Sequence, residues 1–214
     1  MHRRSKAVLL NVLTSCALLG SLPSSFAGNP QISVSVYDDA GVPRDMLARA
    51  EGQARKIFWR AGLDVSWLDC SPANRARCAA AFEIGSPFHL MLRITPNVAS
   101  ATSDTAFGVA FLGADGTGRY GDVFWKRAQD LERNSKADVA LILGSIMAHE
   151  MGHLLLGSNA HGIGGIMQAH WEPSELRRIS MGSLLFLPEQ GKRMRARVSQ
   201  RGELLMSSAK RSHD

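Results

Sequence analysis

Apolar and polar positions along the chain follow two periods. Ile32, Val34 and Val36 are interleaved with Ser33, Ser35 and Tyr37, a period of two that predicts a strand with one buried face. After Pro43, apolar residues recur at Met46, Leu47, Ala50, Ala54, Ile57 and Phe58 as far as Gly62, the spacing of one helix face. Val65 to Leu68 predicts a second strand. Phe88 to Ile94, bounded by Pro87 and Pro96, predicts a third through the alternation of Leu90, Leu92 and Ile94. Ala106 to Leu112 reads as a fourth, rich in small residues and followed by Gly113, Gly116 and Gly118, and Tyr120 to Trp125 as a fifth.

The pattern then changes. From about Ala137 to Leu156 apolar residues cover nearly every face, which predicts a helix buried on all sides. A glycine-rich turn (Gly162, Gly164, Gly165), a short helix from Pro173 and another from near Pro188 complete the order, with a basic tail from Gln200 expected to fray. Strand, helix, four strands, buried helix and carboxy-terminal helices predict one α+β domain, a mixed sheet backed by two long helices.

The 214 residues are enough to bury roughly 70% of the surface the unfolded chain exposes, so neither disulfides nor metal are needed to build a core. An apolar content of 45% excludes disorder, and the absence of a repeat excludes a solenoid. Met1 to Ala7 is basic, Val8 to Leu22 is mostly apolar, and Ser25-Phe26-Ala27 is a small-residue cleavage site. Residues 1–27 therefore read as an export signal, residues 28–199 as the domain and residues 200–214 as a disordered tail. Export leads to the periplasm or the medium. Lipid anchoring through Cys16 is the less favoured route, because Asn11 interrupts a short apolar stretch before it. Loss of Cys16 with the signal leaves Cys70 and Cys78, expected to pair in an oxidising compartment. Closing so small a ring contributes at most about 2–3 kcal/mol.

The formal charge of +6 is unevenly spread. Residues 1–27 hold Arg3, Arg4 and Lys6, and residues 192–214 hold seven bases and two acids, leaving 15 bases and 17 acids between. The body is slightly acidic. The basic end has no interleaved aromatic residues and no groove-reading motif, so no nucleic-acid partner is expected.

The buried helix carries His149-Glu150-Met151-Gly152-His153, the HExxH pattern, which sets two imidazoles on one helix face with a carboxylate beside them. In an apolar helix such groups cost several kcal/mol to desolvate unless a metal or hydrogen bonds engage them. Gly157 can turn the chain back, and His161 follows as a third imidazole. Three histidines with an open fourth position suit one catalytic zinc ion, Zn(2+). Glu172 and Glu175, 19 and 22 residues beyond His153, are the rival third ligands, as in thermolysin-like peptidases.

His149-Glu150-x-x-His153, Gly157, His161 and then Gly165-Ile166-Met167 resemble the metzincin metallopeptidases, with a bend two residues longer than that clan's HExxHxxGxxH. The resemblance implies a mostly parallel five-stranded sheet, a methionine turn at Met167 beneath the metal, and an edge strand above the cleft. That strand would contain Ala106, Phe107, Gly108, Val109 and Ala110, with Trp171 as a further candidate wall. It also implies a zinc metalloendopeptidase acting on a peptide or protein, with Glu150 as general base toward a zinc-activated water. A monomer without a transmembrane segment is expected once the signal is removed. The alternative is an inactive zinc-containing module of the same fold that binds peptides.

Overall fold

The computed structural model describes residues 28–71, 74, 78, 88–97 and 105–211. The expected export signal lies outside the described residues, as does most of the loop between the two cysteines.

Strand β1 (Gln31–Asp38) buries Ile32, Val34 and Val36, as its alternation requires. Helix α1 (Arg44–Arg60) follows and buries Ala50, Ala54, Ile57 and Phe58. Strands β2 (Asp64–Asp69) and β3 (His89–Thr95) then flank β1, both parallel to it, with Ile32 opposite Val65 and Val34 opposite Leu90. Strand β5 (Tyr120–Phe124) pairs parallel with β3, and β4 (Gly108–Phe111) pairs antiparallel with β5 at the edge. The sheet order is β2-β1-β3-β5-β4. Only β4 reverses, because a short glycine-containing turn, closed by Gly113 N–H donating to Thr117 O at 2.7 Å, joins it directly to β5. The mixed, mostly parallel five-stranded sheet is the one expected.

Helix α2 (Trp125–Arg133) begins where β5 ends. The sequence reading extends the strand to Trp125 and has no helix here. The strand runs into the helix without a glycine or proline, so no breaker marks the boundary. A helical signal is nevertheless present, with Ala128 and Leu131 buried three apart and Lys126 paired to Asp130 at four.

Helix α3 (Val139–Leu156) starts at Asp138, whose carboxylate accepts from Ala140 N–H at 2.9 Å and pairs with Arg49 of α1 at 2.5 Å. Every residue of α3 except Leu141 and Leu156 is buried. Its mean hydropathy of 1.6 would suit a membrane span, but 89% of that window is covered by the protein itself. The cover is α1, α2 and strands β3 to β5, together with α4 (Pro173–Ser180) and α5 (Pro188–Arg211). Its all-round apolarity follows from that position, since each fully buried Leu, Ile or Met contributes about 1.5–3 kcal/mol.

Helix α5 corrects the expected tail: helical backbone continues to Arg211. Met194 and Val198 are buried against the core and the Arg201 guanidinium lies 5.7 Å over the Phe88 ring. A helix anchored in this way propagates past its last contact at little cost. Cys70 and Cys78 form a disulfide with Cα atoms 5.8 Å apart.

One buried histidine lies away from the α3 cluster. His89 on β3 shares a 2.9 Å hydrogen bond with Ser35 Oγ, and burial, then the Arg119 charge, holds its pKa below the usual value. The folded chain therefore refuses a proton that the unfolded chain takes up as pH falls below about 6.5. Stability from this group is complete above that pH and is lost as pH falls towards the depressed folded value. Urea unfolding between pH 7.5 and 5 should show His89→Gln with a shallower loss of stability than the parent, and parallel profiles would exclude this assignment.

Candidate metal centre and cleft

His149 and His153 occupy the last two turns of α3, four residues apart and hence on one face. Gly157 closes the helix at φ 65°, a left-handed conformation open to glycine, and its N–H bonds back to His153 O. The chain then returns beneath the helix end. Gly162 N–H donates to Met167 O at 2.7 Å and Ile166 N–H to Leu185 O at 2.9 Å. This path brings His161 to the other two: its ring centroid lies 5.4 Å from that of His149 and 5.0 Å from that of His153. One ligand nitrogen from each histidine lies within 4.8 Å of the others.

The hydrogen bonds define the free nitrogens. His149 Nδ1 lies 2.8 Å from Ile166 O and His153 Nδ1 2.8 Å from Ser158 O. A carbonyl only accepts, so both Nδ1 atoms carry the proton and both Nε2 atoms present a lone pair. Those two Nε2 atoms are 3.1 Å apart. Two facing lone pairs repel unless a cation lies beside them. Protonation is opposed, because burial, with His153 beside it, pushes His149 down to about 3. His153 and His161 are lowered by burial as well. The donor set fits a metal ion of the zinc type: three imidazoles converge, and two of them, His149 and His153, are oriented by carbonyls on their far side.

Glu150 is 3% exposed and lines the same cleft. Burial pushes its carboxyl up to about 8, and a divalent cation nearby would draw it down again. Gly108 of β4 comes so close that a Cβ there would lie 2.8 Å from Glu150 Cγ and would also strike the Asp122 carbonyl. The edge strand thus lies directly over the carboxylate.

The cleft, about 390 Å³, has Ala106, Phe107, Gly108, Val109 and Ala110 along one side and the three histidines along the other. Trp171 does not line it. The indole is 5% exposed and stacks behind Phe107, centroids 4.1 Å apart, while its Nε1–H donates to Ile166 O, the carbonyl that also orients His149. Met167 is buried against α3, where a Cβ on Gly152 would come within 2.6 Å of its sulfur. Glu172 and Glu175 are engaged elsewhere, each carboxylate capping a backbone N–H at the start of α4. Neither belongs to the histidine cluster.

Sequence reasoning missed Asn159 and assigned no cleft role to His170, yet both line the cleft. They lie in loops without periodicity, and only the return of the chain places them there. It also missed Arg127 of α2, whose guanidinium sits 5.7 Å from the centre of the Phe107 ring. Finding that residue required the helix it belongs to.

The fold is similar to that of a zinc-dependent peptidase from Methanocorpusculum labreanum, with a TM-score of 0.53 and 17% identity, covering 75% of this chain and 99% of that one. An archaemetzincin from Methanopyrus kandleri aligns with a TM-score of 0.47 and 16% identity over 82% of this chain and 99% of its own. No protein-family model and no curated protein sequence matches the chain.

Proposed function

We propose that the protein is an exported zinc-dependent metallopeptidase that hydrolyses peptide bonds. The observation that carries this reading is the convergence of His149, His153 and His161, within 4.8 Å of one another, beside the buried carboxylate of Glu150 in an open cleft. Zinc held there would supply Lewis acidity, lowering the pKa of a water to about 7 and polarising the scissile carbonyl.

The protein's own groups do the rest. The carbonyls of Ile166 and Ser158 hold His149 and His153 in the tautomer that leaves Nε2 free. Glu150 takes the proton of the attacking water and passes it to the departing amine nitrogen. The outer edge of β4 pairs with no strand among the described residues, and an extended substrate would lie along it through backbone hydrogen bonds. The amino-terminal signal pattern and the Cys70–Cys78 disulfide support export to an oxidising compartment.

Metal analysis and digestion of a peptide library by the protein from residue 28 onward test the reading together. The expected result is one zinc per chain, cleavage abolished by a chelator, and cleavage restored by added zinc. Retention of zinc without any cleavage would identify a binding module instead. Absence of metal, or cleavage indifferent to the chelator, would overturn the proposal.

A further inference from the structure

The basic residues of α5 are not all solvated. Two of its arginines reach into the body: Arg195 donates from Nη1 to Ala61 O at 2.6 Å, and Arg197 from Nη2 to Gly116 O at 2.6 Å. The second contact joins two segments distant in sequence. Gly116 lies in the turn between β4 and β5, while Gly157 caps α3.

These two turns touch each other. A Cβ on Gly116 would come within 2.6 Å of Gly157 O, and a Cβ on Gly157 would collide with the Arg197 guanidinium. Both glycines have positive φ, 72° and 65°. The flat guanidinium therefore lies against bare backbone at the crossing of the two turns. Its contacts lead in two directions. Through Gly157 the chain passes to Ser158, whose carbonyl receives the Nδ1–H of His153 at 2.8 Å. Through Gly116 it leads to β4, the strand that forms one side of the cleft.

We infer that Arg197 is a positioning residue for the metal centre, clamping the α3 cap to the β4–β5 turn so that Ser158 O orients His153 and β4 keeps its distance from the histidines. The inference rests on the zinc reading given above. A planar fork suits this crossing, because one nitrogen can bond Gly116 O while another lies on Gly157; an ammonium offers a single point of charge. The partners that orient a metal-bound imidazole typically control metal affinity by about 10- to 100-fold.

The test compares Arg197→Met, Arg197→Lys and Arg195→Met in the otherwise intact protein. Zinc affinity is measured by chelator competition, and the ligand field by the visible spectrum after cobalt loading. Arg197→Met should lose about 10- to 100-fold in zinc affinity and alter the cobalt spectrum, with partial recovery in Arg197→Lys. Arg195→Met, which removes a comparable contact to Ala61 at the end of α1 rather than to the two turns, should lower thermal stability and leave affinity and spectrum unchanged. Unaltered affinity and spectrum in Arg197→Met would overturn the inference. If Arg197→Met does not fold, Arg197→Lys is judged by the same criteria. Should the parent protein bind no zinc, the peptidase reading is what fails, and amide hydrogen exchange then decides on the clamp. Faster exchange at residues 113–118 and 157–162 in Arg197→Met than in Arg195→Met would support it, and equal rates would overturn it.

Discussion

Glu150→Gln is expected to retain one zinc per chain and to lose about 10²- to 10⁴-fold in kcat/KM, the range associated with removing a positioned general base. Glutamine has nearly the same shape and cannot accept the proton. The size of the loss separates a base from a spectator: a carboxylate that merely filled space would be replaced with little effect. Stability should move the other way. Burial raises the Glu150 carboxyl to about 8, so above that pH the metal-free protein carries a desolvated charge that glutamine removes. Urea unfolding of the metal-free proteins at pH 9 should therefore find the variant at least as stable as the parent. A variant that kept its activity would dismiss Glu150 as the base.

Gly108→Ala is expected to damage the same chemistry from the opposite wall. The added Cβ would lie 2.8 Å from Glu150 Cγ and 2.9 Å from Cδ, and it would press on the Asp122 carbonyl of the neighbouring strand. Side-chain rotation cannot relieve the contact with the Asp122 carbonyl, so β4 must shift against β5, and the cleft wall over Glu150 moves with it. A displacement of about 1 Å at a reacting centre can cost 10²-fold in rate, and overpacking of this kind destabilises by about 1–3 kcal/mol. Steady-state kinetics should show the loss mainly in kcat, and zinc content should stay near one because the three histidines are untouched. Gly121→Ala provides the comparison: its nearest contacts, 3.3 Å to Val109 O and 3.6 Å to a Leu92 methyl, ask for a shift of only a few tenths of an ångström. Equal activity in Gly108→Ala and Gly121→Ala would refute the close approach of β4 to Glu150.

What was legible in the sequence divides along physical lines. Elements with strong periodicity and clear punctuation were read close to their observed limits. Strand β1 has its alternation, α1 has Pro43 and Gly62 at its ends, and β3 has flanking prolines. Helix α2 was missed because Phe124 passes into Trp125 without a breaker. The helical extent of α5 was missed because the basic composition after Gln200 resembles a solvated tail, whereas the anchors of the helix, Met194 and Val198, lie before it.

The site divides in the same way. His149, Glu150 and His153 share one helix, so a spacing of four residues already determines their common face. His161 was nameable from its position after Gly157, but its convergence depends on the return of the loop and on the bonds at Gly162 and Ile166. The helix, its histidine spacing and the local residue chemistry are written in the sequence, because they depend on neighbours a few positions apart. It took the folded chain to place Trp171 behind the cleft, Glu172 and Glu175 at the start of α4, Gly108 of β4 against Glu150, and Arg197 of α5 against Gly116 and Gly157. Each of those relations is a packing contact between segments far apart in the chain, and no local pattern encodes the distance at which they meet.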